Sequence, residues 1–121
     1  MADRPWFPPD PSLVGDEPDY RFSLANERTF LAWIRTALAL TAGGLGAISL
    51  LPDLFGSEAL GLMLLALAFA TAGTAYRRWA LNETAMRLNQ PLPPSRLPLI
   101  VAVATSVVAI VGASLFVLDA L

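Results

Sequence analysis

The sequence predicts an all-α integral membrane protein: three transmembrane helices, the first carrying a cytoplasmic amphipathic extension. Three observations carry that expectation. Hydrophobic residues make up 55% of the 121 positions and charged ones only 15%, whereas a water-soluble domain covers its surface with about 25% charged residues. Three apolar stretches reach the ~20 residues that ~30 Å of hydrocarbon requires at ~1.5 Å per residue. All eight basic residues are arginine, and they fall in only two of the hydrophilic segments that these stretches leave.

The first span covers about residues 30–51 and is free of charge from Thr36 onward; the second covers about 59–76 and the third about 97–118. The first is not expected to be the core of a cleaved signal peptide, which would follow a short basic leader. Nearly thirty residues rich in proline and acid precede it. The chain is therefore expected to insert uncleaved.

Charge placement orients the spans. The connection Pro52-Asp53-Leu54-Phe55-Gly56-Ser57-Glu58 and the segment after span three contain no arginine. The arginines at 4, 21, 28, 35, 77, 78, 87 and 96 precede or begin span one, or lie between spans two and three. Cytoplasmic loops collect basic residues. The expected location is thus the bacterial inner (plasma) membrane, multi-pass, with the N-terminus cytoplasmic and the C-terminus outside.

Two segments are built not to be core. Residues 1–20 hold five prolines and five acids, a composition that cannot nucleate a helix, and are expected to form a flexible cytoplasmic tail before a three-helix domain at 21–121. Trp6 and Phe7 in that tail can reach the headgroup region or touch nothing. Prolines 91, 93, 94 and 98 force an extended linker and place Pro98 in the first turn of the third helix.

The informative stretch is Arg21-Phe-Ser-Leu-Ala-Asn-Glu-Arg-Thr-Phe-Leu-Ala-Trp-Ile-Arg35, whose helical periodicity runs unbroken into span one, with a start expected near Ser23 or Leu24. At ~100° per residue, seven residues make almost two turns, so Arg21, Arg28 and Arg35 share a side. Ala39, Ala42, Gly46 and Ser49 continue it to within ~40°. Small residues of this kind let neighbouring helices approach while arginines snorkel to anionic headgroups. Alternatively, several copies surround an axis and the arginines form cationic rings of the sort that select anions. Arg35 weighs on that choice, because an ionisable group inside the apolar boundary faces protein, water or an ion rather than lipid.

Asn26 shares its side with Phe30 and Trp33, opposite Arg35, and is expected to hydrogen-bond another segment. Glu27 either pairs near Arg28 or with Arg77 or Arg78, or is solvated where a helix dipole favours acid. On span two, Ala59, Ala66, Ala70, Gly73 and Arg77 fall on one side. Trp33, with Tyr76-Arg77-Arg78-Trp79, is read as a set of interface anchors, since aromatic and arginine residues together mark a boundary. Span three offers Ala102, Thr105, Ala109 and Gly112 for close packing.

The run Ala25-Asn26-Glu27-Arg28-Thr29-Phe30-Leu31-Ala32-Trp33-Ile34-Arg35-Thr36 resembles the signature of the YidH-like family of small bacterial inner-membrane proteins of unknown function. The resemblance extends over about residues 20–120, through Arg78-Trp79, Asn82-Glu83 and Pro91-Leu92-Pro93. The same motif is similar to the three-helix membrane domain of the eukaryotic vacuolar transporter chaperone complex, which makes polyphosphate and passes it across a membrane. Asn26, Glu27, Arg28, Thr29 and Phe30 match the shared core; Arg35 has no guaranteed equivalent. This second resemblance implies a ring whose first-helix basic residues line a polyphosphate path. Lacking the catalytic tunnel and phospho-ligand sensor domains of the larger subunits, the chain matches only the membrane ring.

Composition narrows the chemistry further. Without histidine or cysteine there is no Ser-His-Asp set, thiol nucleophile, disulfide framework or Cys/His zinc site. The glycines at 43, 44 and 46 lie mid-span, where they favour helix contact rather than phosphate cradling. No acid lies inside a span, as a proton-coupled exporter would want. The expectation is a non-enzymatic protein with no cofactor and no metal: an oligomeric scaffold or accessory subunit that binds anionic lipid or a partner through cytoplasmic arginines. The alternative is an oligomeric anion pore, for phosphate or a polyphosphate-like ion, lined by Arg28 and Arg35 with Arg21. Expected partners are membrane lipids, further copies of the chain and an anionic ligand, but no nucleic acid.

Overall fold

A computed structural model describes residues 6–121; Arg4 and Pro5 lie outside the described residues. All regular structure among these residues is helical: α1 (Tyr20–Leu50), α2 (Ser57–Arg87) and α3 (Leu97–Ala120), preceded by a 3-10 turn at Pro11–Leu13. All three helices are long and apolar enough to cross a membrane. At ~1.5 Å per residue, the 31 residues of α1 and of α2 each span about 46 Å, well beyond ~30 Å of hydrocarbon. Both helices therefore project together at the end that carries the arginines.

Helix ends follow local chemistry. α1 starts at Tyr20, earlier than Ser23, because the Asp19 carboxylate accepts the Arg21 N–H at 2.9 Å and caps the first turn. It stops at Pro52. α2 runs past the belt at Tyr76 to Arg87, since no breaker intervenes before Asn89. There the left-handed Asn89 (φ 55) lets Gln90 N–H reach the Ala85 carbonyl at 2.8 Å and Asn89 N–H reach Met86, closing a Schellman turn. Half of the expected connection between spans two and three is thus helix.

The α1–α2 hairpin is closed by the nearest approach that backbones allow. A Cβ on Gly44 would lie 2.8 Å from the Gly61 carbonyl oxygen, and one on Gly61 would lie 2.7 Å from that of Gly44 and collide with Ile48. Ala37, Ala47, Ala68, Thr71 and Ala75 are buried with them. Thr41 and Thr71 donate to the carbonyls of Ala37 and Leu67, so their hydroxyls need no further partner in an apolar setting. In hydrocarbon such packing replaces the hydrophobic effect as the force between helices.

α3 packs on α2 and not on α1. Its half-buried stripe is Val101, Ala104, Val108, Val111, Gly112 and Leu115. Of the residues expected to pack closely, only Gly112 joins it, against Leu60, while Ala102, Thr105 and Ala109 are exposed. Leu115 sets this rotation by filling the space over Gly56, whose φ of 76° begins α2. Asp119 accepts the Phe55 N–H at 3.3 Å and ties the short connection to the end of α3.

Within the proline- and acid-rich segment read as a flexible tail, residues 11–16 have a seat on α2. Arg87 donates to the Val14 carbonyl at 2.7 Å, Asp16 N–H donates to the Arg87 carbonyl, and Pro11 is buried. Gly15, at φ 60°, comes so near the Arg87 carbonyl that a Cβ there would collide with it. Prolines lower the entropic cost of holding such an extended segment.

Two outcomes test this packing. Gly61→Val should destabilise the hairpin by about 1–3 kcal/mol through overpacking, whereas Gly46→Ala and Gly73→Ala, which meet nothing within 4 Å, should leave detergent unfolding midpoints nearly unchanged. The Asp19 carboxyl is held below its ordinary value of 3.8, first by the Arg21 side chain and then by its N–H. A lowered carboxyl pKa gives stability that is present above 3.8 and lost as pH falls through the lowered value. Amide exchange at Arg21 should accelerate over that window and show no such pH step in Asp19→Asn.

Candidate functional site

α1 presents two opposite faces to different surroundings. On one, Asn26 is buried at 9% exposure against α2. Its amide donates to the Trp79 carbonyl at 3.0 Å and to Glu83 at 3.4 Å, and its oxygen accepts from Asn82 at 3.5 Å. Ser23 donates to the other Glu83 oxygen at 2.9 Å. Residues 23, 26, 30, 33, 37 and 44 recur at helical spacing along this face. Asn26 thus lies on the same line as Gly44, eighteen residues or five turns further along.

The sequence singled out Asn26 and Glu27, and the structure separates them. Glu27 is exposed and makes no ion pair among the described residues. The acid brought against α1 is Glu83. Nothing marks Glu83 in composition; the signal is its place on the α2 stripe that also carries Ala75, Trp79 and Met86.

The opposite face of α1 carries Arg28 and Arg35 with Ala39, Ala42 and Ser49, all exposed and turned away from α2. A Cβ on Gly46 would meet nothing within 4 Å. Arg21 is held by Asp19 in an exposed ion pair of 2.9 Å, so the guanidinium groups free to meet an outside anion are those of Arg28 and Arg35. Phe30 stacks near Trp79, and Trp79 near Tyr76, which places the aromatic belt at the level of Phe30. Arg35 lies five residues deeper, about 7.5 Å along the axis. A guanidinium at the centre of the bilayer costs about 2.5–3.5 kcal/mol on insertion scales; at the shallower level of Arg35 the cost is smaller and snorkelling reduces it further. Beside this stripe Leu31, Leu38 and Leu45 form an exposed ridge.

The belt itself is continuous. Ring centroids of Trp6 and Phe7 lie 6.5 Å apart, Phe7 and Tyr76 6.4 Å, Tyr76 and Trp79 5.9 Å, and Trp79 and Phe30 6.4 Å. Trp33, Arg77, Arg78 and Trp79 are half-buried, and Tyr76 is more open. Arg77 and Arg78 turn towards the gap between α2 and the start of α3, where Arg96 joins them. Among the described residues no group of His, Cys, Asp or Glu could hold a metal.

A family described as a domain of unknown function, DUF202, matches residues 21–85, nearly all of α1 and most of α2. The chain is 48% identical to the inner membrane protein YidH of Escherichia coli K12 over 103 residues, covering 83% of this chain and 90% of that protein. It is 45% identical to the uncharacterized protein Rv2272 of Mycobacterium tuberculosis H37Rv over 108 residues, covering 87% and 88%. No solved structure matches the chain.

If the Asn26 contacts clasp the hairpin, Asn26→Ala should lower unfolding stability in detergent by about 1 kcal/mol, the usual range for a polar interhelical contact in membranes. Glu27→Ala should change it by less than about 0.5 kcal/mol, as exposed substitutions do.

Proposed function

The chain belongs to the DUF202 family of membrane proteins, and from that premise we propose that it is a non-enzymatic, oligomeric scaffold of the bacterial inner membrane. Its copies meet along the exposed face of α1 and gather anionic phosphate groups of lipids with Arg28 and Arg35. The arginine-bearing end is cytoplasmic, by the distribution of basic residues across the loops. One observation carries the reading: the stripe of Arg28, Arg35, Ala39 and Ala42 is uncovered by α2, by α3 or by any carboxylate within ion-pair reach among the described residues.

Shape supports self-association. The ridge of Leu31, Leu38 and Leu45 lies beside the groove of Ala39, Ala42 and Gly46, so a second copy supplies the complement to each. Charge supports the ligand. A guanidinium below the belt gains most from a neighbour that brings water or an anion, and phosphate accepts two parallel N–H bonds from arginine. A second reading, an anion path along the oligomer axis, is favoured by the small residues that continue the arginine stripe across the membrane.

Native mass spectrometry of the purified protein in mild detergent tests the scaffold. The expected spectrum is an oligomer that retains anionic phospholipid. Ala39→Leu should shift it towards monomer, and Arg28→Gln with Arg35→Gln should cut lipid retention about tenfold. A monomer without retained anionic lipid contradicts the proposal. Anion flux in liposomes that is lost with both arginine substitutions would instead select the path.

A further inference from the structure

A second cationic place lies on α2 beside the start of α3. Where the linker enters α3, a cleft of about 380 Å³ is lined by Arg77, Arg78, Arg96, Asn82, Ser95 and Trp6 among others. Three arginines line it, and no carboxylate does. Among the described residues none of the three makes an ion pair.

Arg77 is the most constrained of the three. Its Nε is buried and has no hydrogen-bond partner, although a buried donor left unpaired costs about 1–3 kcal/mol. Its guanidinium lies over the Trp6 ring at 5.3 Å, a cation–π contact that holds the group in place without using any N–H. Ser95 accepts the Leu97 N–H at 3.2 Å and starts α3 beside the cleft, so the positive end of that helix dipole adds to the same field. Anchoring alone would let the three arginines spread towards water; here they share one concavity.

We propose that this cleft binds a phosphate group, held by Arg77, Arg78 and Arg96 with Trp6 as one wall, at a site separate from Arg28 and Arg35. The chemistry fits a phosphomonoester or inorganic phosphate: a compact anion with oxygens enough for several guanidinium donors, which pair with it bidentately. A lipid headgroup reaches the cleft from the membrane surface, and a free phosphate from the water phase.

The test uses the full chain in phosphatidylcholine nanodiscs, with ³¹P NMR reading the probe itself. One arm adds inorganic phosphate and the other incorporates phosphatidic acid. In the Arg28→Gln, Arg35→Gln double variant, which removes the α1 face, at least one probe should still show a saturable shift. Adding Arg96→Gln should weaken it about tenfold, as the loss of one charge-assisted contact does. Arg96 is exposed on the linker, so its variant reports even if Arg77→Gln fails to fold. A response to phosphatidic acid alone identifies a lipid site, and a response to inorganic phosphate identifies a free-anion site. No saturable shift in the double variant, or an Arg96→Gln variant within twofold of its parent, overturns the proposal. If the α1 reading is the one that fails, the double variant matches the wild type while the Arg96 effect remains.

Discussion

The contact of Gly44 with Gly61 decides where everything else in α1 points. Hydrocarbon provides no hydrophobic drive between helices, so two spans hold together by van der Waals contact and by the few polar groups they can pair. With neither glycine carrying a side chain, the backbones come within reach of each other's carbonyls. That approach fixes the rotation of α1 about its own axis. Asn26, five turns away on the same line, then lands on Trp79 and Glu83. By the same rotation Arg28 and Arg35 are carried to the far side. The exposed cations are thus a consequence of the glycine seam.

The polar groups divide between closure and recognition. At the projecting end Ser23, Asn26, Asn82 and Glu83 satisfy one another across the hairpin. Arg87 and Asp19 serve the backbone: one holds the N-terminal segment and the other starts α1. The arginines left without an ion pair among the described residues are Arg28 and Arg35 on one side and Arg77, Arg78, Arg87 and Arg96 elsewhere, of which Arg87 already holds the N-terminal segment. Among the described residues the one ion pair is that of Arg21 with Asp19, so these arginines have no carboxylate partner in the fold. The aromatic chain runs from Trp6, which lies against Arg77, to Phe30 on α1.

Much of the fold is legible from length and periodicity alone. The three spans, the arginine face of α1 and its separation from Asn26 follow from ~100° per residue and need no partner information. What periodicity does not reveal is which of several small-residue stripes is used. On α2, Ala59, Ala66 and Ala70 look as suited to contact as Gly61, Ala68 and Ala75, yet only the latter are covered. On α3 the rotation depends on how Leu115 meets Gly56, a contact between residues far apart in sequence. The seat of the N-terminal segment and the partner of Asn26 are hidden for the same reason: Arg87 and Glu83 act across distances that local pattern does not encode. Arg96, inside a proline-rich linker, reads as a lone charge until folding brings it beside Arg77.

The most direct test of the outward arginine face uses a gift of the composition, which contains no cysteine. Single cysteines at Ala37, Ala39, Ala42 and Ala47 sample both faces of α1 at similar depths, and mild oxidation in native membranes reads which of them meets a second copy. Disulfide-linked dimers through positions 39 and 42, with 37 and 47 remaining monomeric, are the predicted result. Linkage through 37 and 47, or none at 39 and 42, would contradict it.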